Sequence, residues 1–397
     1  MTVPIEFTPA AIEAASPNEA QMFQHVFANR EMEESLFRNN AWMVPPPHDA
    51  PLKWGPDCYW DTTNAAEHPD WCDKNLPQPT KDIVRMRLDF LEWGYCLIEE
   101  ALSTKQCFDM YTRLIEQAEA ERNAGLAQGS PYGQYVNTLV NKGICFAQAI
   151  EQNPLAVQGG PMIEQLLNEI LGHGWICHAF LANGSDPGAY PQGLHIDQGA
   201  LLPWIPAEAP MLINTMYILE DIGPHNGGTL IIPGSHNALA NCGRGGTVGP
   251  LPRPFNLQLP AGTVMIFDGR LLHGTGANRS DQQRFVATMA AVKPWMRQQE
   301  NWVLSVSPEV LASASPKLLH RMGFQAVFNG GTVEGFGVNF ADGSVGDQHG
   351  AIADFRKAQD AGLYRRVGPM HPKTAHQSPN ATLKDVMNAA GQKPYEL

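Results

Sequence analysis

Charge is scarce in this chain, and basic charge most of all. Asp, Glu, Lys and Arg make up 17% of its 397 residues, and 27 Lys and Arg against 40 Asp and Glu leave a net charge of −13. No basic stripe is present, which argues against nucleic acid as a partner and disfavours a large polyanionic substrate. No apolar run approaches the length needed to cross a bilayer, so no membrane partner is expected. The start, Met-Thr-Val-Pro-Ile-Glu-Phe-Thr, has no basic segment followed by an apolar one. A secretory signal is therefore not read there, and a cytoplasmic location is expected. Cysteines number seven, an odd count, with no Cys-x-x-Cys. That excludes a zinc knuckle or thioredoxin-type pair and fits reduced, mostly buried thiols. There is no Gly-x-Ser-x-Gly elbow, no Walker A loop and no His-x-His pair, so hydrolase and nucleotide-binding readings find no support. Asn183, Asn278 and Asn380 open Asn-x-Ser/Thr triplets, which without secretion are chance matches.

What the chain does have is 43% hydrophobic residues, 37 Gly and 32 Pro, the composition of a loop-rich globular protein. We read one catalytic domain in four stretches. Residues 1–82 form a wrapping extension, with a short helix around 18–38. Its aromatics, Trp42, Trp54, Tyr59, Trp60 and Trp71, are expected to bury against the body. Residues 83–172 supply supporting helices and a strand. Apolar residues recur at helical spacing from Ile83 to Leu91, Gly94-Tyr-Cys-Leu-Ile-Glu99 reads as a strand, and Ser103-Thr-Lys-Gln106 opens a helix with a capping box. A further helix over 161–172 has Pro at its start and Gly after its end. Residues 173–298 change period. Short apolar runs at 175–182, 211–219, 228–233, 263–268 and 284–293, punctuated by Pro and Gly, predict a mainly β core of the jelly-roll (double-stranded β-helix) kind with flanking helices. Residues 299–397 form a C-terminal extension, helical over 308–322 and Gly-rich over 329–350, that reads as a lid or a homodimer contact.

Two imidazoles and one carboxylate stand out against that frame. By chance, 13 histidines among 40 acidic residues yield about 1.3 His-x-Asp/Glu matches, so the motif alone means little. His68-Pro-Asp70 lies in the Pro- and Trp-rich extension and reads as a turn. His195-Ile-Asp197 follows the loop Gly188-Ala-Tyr-Pro-Gln-Gly193, and residues i and i+2 of an extended segment point the same way. His273, 78 residues on, follows the run Val-Met-Ile-Phe-Asp and precedes Gly-Thr-Gly, whose glycines let backbone approach a ligand. His236, in Pro-Gly-Ser-His, is a rival ligand for which a structural role is the better reading. Two imidazoles and a carboxylate on one face of a metal leave the opposite face open, the arrangement of non-haem Fe(II) oxygenases. Arg284 opens the run Arg-Phe-Val-Ala-Thr-Met. A guanidinium on a rigid strand suits a dicarboxylate such as 2-oxoglutarate better than Arg279 in its turn-like Asn-Arg-Ser-Asp.

The combination of His195-Ile-Asp197, Asn226-Gly-Gly-Thr-Leu-Ile-Ile-Pro-Gly-Ser-His236, His273-Gly-Thr-Gly and Arg284 resembles the phytanoyl-CoA dioxygenase family of Fe(II)/2-oxoglutarate enzymes. Leu91-Glu-Trp-Gly-Tyr-Cys-Leu-Ile-Glu-Glu-Ala-Leu-Ser103 is similar to that family's opening segment, and the likeness covers about 83–300. The resemblance implies Fe(II) held by His195, Asp197 and His273, and O2 and 2-oxoglutarate as co-substrates with Arg284 on the far carboxylate. It also implies a hydroxyl at Thr275 on that co-substrate and a polar residue, Asn214, facing it. Met216 stands where many relatives carry tryptophan. Oxidation of an unactivated C–H bond, with release of succinate and CO2, would follow. The carboxylate Asp197 argues against halogenation, which in related enzymes needs a small residue there. Phe180, Trp204, Met211, Met216, Tyr217 and Trp295 are candidates for the wall of an apolar pocket, though such residues are more often core. A small, largely apolar, natural-product-like molecule is expected rather than a CoA thioester, whose phosphates want a basic patch. The rival readings are a cupin-like metal protein that is no oxygenase and a silent scaffold.

Overall fold

The computed structural model describes residues 35–43 (Phe37 aside), 63–130, 132–198, 210–240 and 247–324, together with the backbone of 332–333 and 336–337. Its framework is a seven-stranded antiparallel sheet facing a three-stranded one. The large sheet runs in the order β1 (Tyr95–Ile98), β8 (Val264–Asp268), β5 (Leu212–Tyr217), β10 (Arg284–Val292), β4 (Ile176–Ser185), β3 (Gly133–Val136) and β2 (Gln128–Ser130). The small sheet runs β7 (Phe255–Asn256), β6 (Leu230–Ile231), β9 (His273–Gly274). This is the double-stranded β-helix that the alternating apolar runs lead one to expect.

Local signals set the helices. The Asp82 side chain accepts from the Val84 amide at 2.9 Å and starts α1 (Ile83–Trp93), which Gly94 ends at φ 82°. Ser103 and Gln106 exchange the two hydrogen bonds of a capping box at the head of α2 (Thr104–Asn123), satisfying amides that have no partner within the helix. Next come α3 (Ile144–Ile150) and α4 (Gly160–Leu171). Met110, Leu114 and Ala118 of α2 and Ile163, Leu166 and Leu167 of α4 pack with Phe180, Tyr217 and Phe285 in one buried cluster on the outer face of the large sheet. The inner face and the small sheet enclose a second cluster that includes Tyr95, Leu97, Ile231, Phe255 and Phe267. Strand β10 shows the alternation directly: Phe285, Ala287 and Met289 join the helix side, whereas Val286, Thr288 and Ala290 line the interior cavity.

Several expectations shift. The helix foreseen over 308–322 is two helices, α6 (Pro308–Ser313) and α7 (Pro316–Arg321), after a short α5 (Trp302–Ser305). Pro316 cannot continue a preceding helix, and Ser315 caps a new one by accepting from the Leu318 amide at 3.0 Å. The β2–β3 hairpin is largely polar and α3, at seven residues, is too short to show a helical period, so neither was legible beforehand. Of the extension's aromatics, Trp71 is buried, donates from Nε1 to the Arg253 carbonyl at 2.6 Å and packs against Phe255. Trp42 is half-buried beside Arg253. Trp54, Tyr59 and Trp60, nearly all of the helix expected at 18–38 and nearly all of the Gly-rich stretch at 329–350 lie outside the described residues. No described helix is long and apolar enough to cross a membrane.

Behind the sheet lies a buried ionic group. Lys142 reaches Glu121 at 3.3 Å, and Glu300 accepts the Thr138 amide at 3.1 Å. Burial pushes the Glu300 carboxyl from 4.5 up to about 8, with the Thr138 amide pulling the other way. In the folded chain Glu300 keeps its proton across a range where the unfolded chain has lost it. Its contribution to stability is therefore full below about pH 4.5 and fades as pH rises towards 8. Glu300→Gln is expected to flatten the loss of stability between pH 5 and 8 and to be the more stable protein at pH 8 by about 2 kcal/mol, read by urea unfolding across that range.

Candidate metal centre

Strand pairing brings the two histidines face to face. The His195 amide donates to the His273 carbonyl at 3.0 Å, and the His273 amide donates back to the His195 carbonyl at 3.0 Å. Directly opposed residues of an antiparallel pair project to the same side. Their rings accordingly lie 4.4 Å apart between centroids. Asp197, two residues on, projects to that side too. Its Oδ1 lies 3.3 Å from His195 Nε2 and its Oδ2 3.4 Å from His273 Nε2. One donor atom from each of the three falls within 4.8 Å of the others, and among the described residues this is the group found with metal-binding chemistry.

Both imidazoles are oriented from behind. His195 Nδ1 lies 3.0 Å from the Gly193 carbonyl, and His273 Nδ1 lies 3.0 Å from the Leu271 carbonyl. A carbonyl only accepts, so Nδ1 bears the proton and each Nε2 lone pair faces the shared point, the tautomer metal-binding histidines use. Burial opposes charge on Asp197, yet His273, His195 and a hydrogen bond from Asn214 outweigh it and hold the carboxyl well below the usual carboxylate range. Burial likewise works against charge on His195, where the Asp197 contact prevails and the pKa rises. At His273 burial prevails and the pKa falls. An ionised carboxylate beside two imidazole lone pairs is the donor set that suits Fe(II).

Other expected residues take more particular places. Asn214, on β5, donates from Nδ2 to Asp197 Oδ2 at 2.8 Å. It thus braces the carboxylate, and it also lines the cavity over the three residues. Thr275 lines the cavity and shares its hydroxyl with two carboxamides, accepting from Asn183 Nδ2 at 3.2 Å and donating to Gln192 Oε1 at 3.3 Å. Arg284 is buried at the start of β10 and is not among the residues that line the cavity described below. Its Nε donates to the Asn226 carbonyl at 3.1 Å and its Nη2 to the Gly227 carbonyl, while Nη1 makes neither contact. Gly227 sits at φ 77°, where a Cβ would meet the Gly276 carbonyl at 2.6 Å. The Asn226-Gly-Gly turn is thus shaped to hold the guanidinium. Burial lowers the Arg284 pKa from 12.5 to about 10, with Glu220 acting to raise it, so the group stays a cation at neutral pH. His236 is buried against Gly94 and is not part of the three-residue group. Arg279 donates to the Pro224 carbonyl from its turn.

A cavity of about 950 Å³ opens over His195, Asp197 and His273. Of the pocket candidates, Met216 and Trp295 line it. Phe180 and Tyr217 are turned to the helix side and belong to the core, because odd and even positions of a strand face opposite ways. Met211 is half-buried and Trp204 lies outside the described residues. Missed beforehand were Asn183, Gln192, His178 and residues 296–299. They are polar or solitary residues without periodicity, which only the pairing of β4 with β10 and the course of the loop bring to the cavity.

Residues 90–286 match the family model described as phytanoyl-CoA dioxygenase. Those residues form a domain of that family. Membership makes it an enzyme, a dioxygenase of the kind that uses Fe(II), 2-oxoglutarate and O2. Among curated relatives it is similar to Dioxygenase af480 of Aspergillus fumigatus, 28% identical over 254 residues, which span 61% of this chain and 80% of that protein. Dioxygenase FUM3 of Gibberella moniliformis is 34% identical over 110 residues, 26% of this chain and 35% of that one. Dioxygenase aneA of Aspergillus aculeatus is 27% identical over 203 residues, 45% and 65% of the two chains. The chain thus spans less than two thirds of these last two relatives. Among solved structures it is similar to the non-heme alpha ketoglutarate dependent carbocyclase SnoK from nogalamycin biosynthesis, at TM-score 0.43 and 19% identity over 55% of this chain and 87% of that one. The epimerase SnoN from the same biosynthesis gives TM-score 0.40 and 16% identity over 54% and 85%.

Asn214 supplies a clean test of the carboxylate's brace. Asn214→Ala removes the hydrogen bond without touching a metal donor, and it is expected to weaken Fe(II) binding about 10- to 100-fold, measured by anaerobic titration calorimetry.

Proposed function

We propose that His195, Asp197 and His273 hold Fe(II), that Arg284 binds the far carboxylate of 2-oxoglutarate, and that the enzyme oxidises, most simply hydroxylates, an unactivated C–H bond of a small organic molecule. The observation that carries this reading is the meeting of two Nε2 lone pairs and an ionised carboxylate at one point. When bound, Fe(II) with 2-oxoglutarate supplies the power to activate O2 and oxidise such a bond, with succinate and CO2 as co-products. The chain's own residues do the rest. His195, Asp197 and His273 occupy one side of the point where they meet and leave the cavity side open. Asp197 contributes the negative charge, and Asn214 fixes its orientation. Arg284 lies buried behind the described cavity lining, fastened by two backbone carbonyls, and its positive charge and remaining nitrogen Nη1 are the combination that suits a carboxylate reaching it. Thr275, steadied by Asn183 and Gln192, offers a hydroxyl on the same wall. Phe267, packed edge-on to His273 at 4.8 Å between ring centroids, together with Leu212 and Met216, gives an apolar lining that limits water near the reacting bond.

Anaerobic addition of 2-oxoglutarate to the Fe(II) protein is expected to produce a visible charge-transfer absorption, and His273→Ala is expected to abolish it together with iron binding. Absence of that absorption in the native chain, with no succinate formed on exposure to O2, would sink the reading. Arg284→Lys keeps the charge but loses the fork and the two carbonyl contacts. It is expected to raise the 2-oxoglutarate concentration needed for half-maximal absorption at least about tenfold, with iron affinity unchanged.

A further inference from the structure

Strand β4 carries an irregularity that bears on what the cavity accepts. Along β4, Asn183, Leu181 and Ala179 line the cavity, while Ala182, Phe180 and Cys177 face the helix side. Register against β10 pairs Ala179 with Ala290 and Cys177 with Ala291, so His178 is an extra residue at a bulge. In a regular strand residue 178 would face the helices. The bulge places it in the cavity wall instead, beside Ala179, and re-aiming a side chain is what bulges near active sites do.

His178 is also where the segment 295–299 is fastened. Its Nδ1 accepts the Gln299 amide at 3.0 Å, and its backbone carbonyl accepts the Glu300 amide at 3.0 Å. The Arg297 carbonyl lies by the same ring. On the neighbouring residue, the Cys177 carbonyl accepts Gln298 Nε2 at 2.6 Å and Trp302 Nε1 at 2.9 Å. Trp295, Met296, Arg297, Gln298 and Gln299 all line the cavity. The segment is therefore a strap that forms one cavity wall, held by an imidazole whose hydrogen-bonding side faces it.

The lining has a distinct chemistry. Seven carboxamides line the cavity, Asn183 and Asn214 already described and, beyond them, Gln128, Asn137, Gln192, Gln298 and Gln299. Leu181, Leu212, Met216, Phe267, Val286 and Trp295 supply apolar surface, and Arg297 is the one Lys or Arg among the described lining residues. Carboxamides offer donors and acceptors at no net charge, and so recognise hydroxyl and carbonyl oxygens. A CoA thioester carries several phosphate charges that would need a cluster of cations.

We propose that the 295–299 strap is the specificity element of this enzyme, that His178 is the positioning residue that holds it, and that the substrate is a neutral molecule with an apolar skeleton bearing hydroxyl or carbonyl oxygens rather than an acyl-CoA. The proposal rests on the function given above, but its tests read the strap and the wall, not the metal. Hydrogen exchange on the full chain with Fe(II) and 2-oxoglutarate is expected to show the amides of 297–302 exchanging at least about tenfold faster in His178→Phe. His178→Asn, whose Oδ1 can accept the Gln299 amide as Nδ1 does, is expected to stay within about threefold of the native chain. Gln299→Pro, which deletes the donor and leaves His178 intact, is expected to reproduce the Phe variant. The charge-transfer absorption is expected to persist in all three. Calorimetric binding of two panels to the anaerobic complex then reads the substrate class, one of neutral terpenoid and polyketide ketones and lactones, the other of acyl-CoA thioesters. At least one neutral compound is expected to bind about tenfold more tightly than any thioester, and to lose about tenfold in His178→Phe but not in His178→Asn. Thioesters that bind as tightly, or two panels that both fail to bind, overturn the substrate class. Strap amides unmoved in His178→Phe and Gln299→Pro overturn the role of His178. If the native chain lacks the absorption, the functional reading fails first, and the two failures are told apart.

Discussion

The site depends on two backbone hydrogen bonds, exchanged between His195 and His273. They join a segment that follows a loop to a strand 78 positions further along the chain. Because the pair is directly opposed, no freedom remains as to which face the imidazoles share. A register slip of one residue would turn each ring to the other side of the sheet. The Asp197 carboxylate inherits its place from the same pairing through its two-residue offset. The rest of the site is support for that geometry: carbonyls of Gly193 and Leu271 behind the rings, and Asn214 behind the carboxylate.

A second constraint is the shortage of charge. The ionic groups near the cavity are each held by neutral dipoles or by one another. Arg284 leans on the Asn226 and Gly227 carbonyls, with Glu220 nearby. Asp197 is held by two imidazoles and a carboxamide. A buried charge with partial compensation is costly on its own, but it is also ready to meet an opposite charge that enters. The carboxamide-rich wall follows the same economy, since it recognises oxygen atoms without adding ions to a low-dielectric pocket.

The sheets illustrate how far patterning reaches. Apolar alternation is a property of short stretches, so the strands at 175–182, 211–219, 263–268 and 284–293 were legible, and with them the jelly roll. The capping box was legible too, because Ser103 and Gln106 act within a few residues of the helix they open. The β2–β3 hairpin and α3 were not, since the first is largely polar and the second, at seven residues, is too short to show a period. The division of Phe180 and Tyr217 from Met216 shows the limit of composition, for all three are large and apolar and only strand phase tells wall from core.

What the sequence by itself determined is the chemistry available: two imidazoles, one carboxylate and one strand-borne guanidinium, each in a local frame that constrains how its side chain projects. What only the tertiary structure decided is partnership. That Asn214 braces Asp197, that Asn183 and Gln192 steady Thr275, and that a bulge carries His178 into the cavity wall all depend on contacts between residues far apart in the chain. No periodicity encodes such contacts, because hydrogen bonds between single polar side chains are set by the register of strands that meet only in the folded protein.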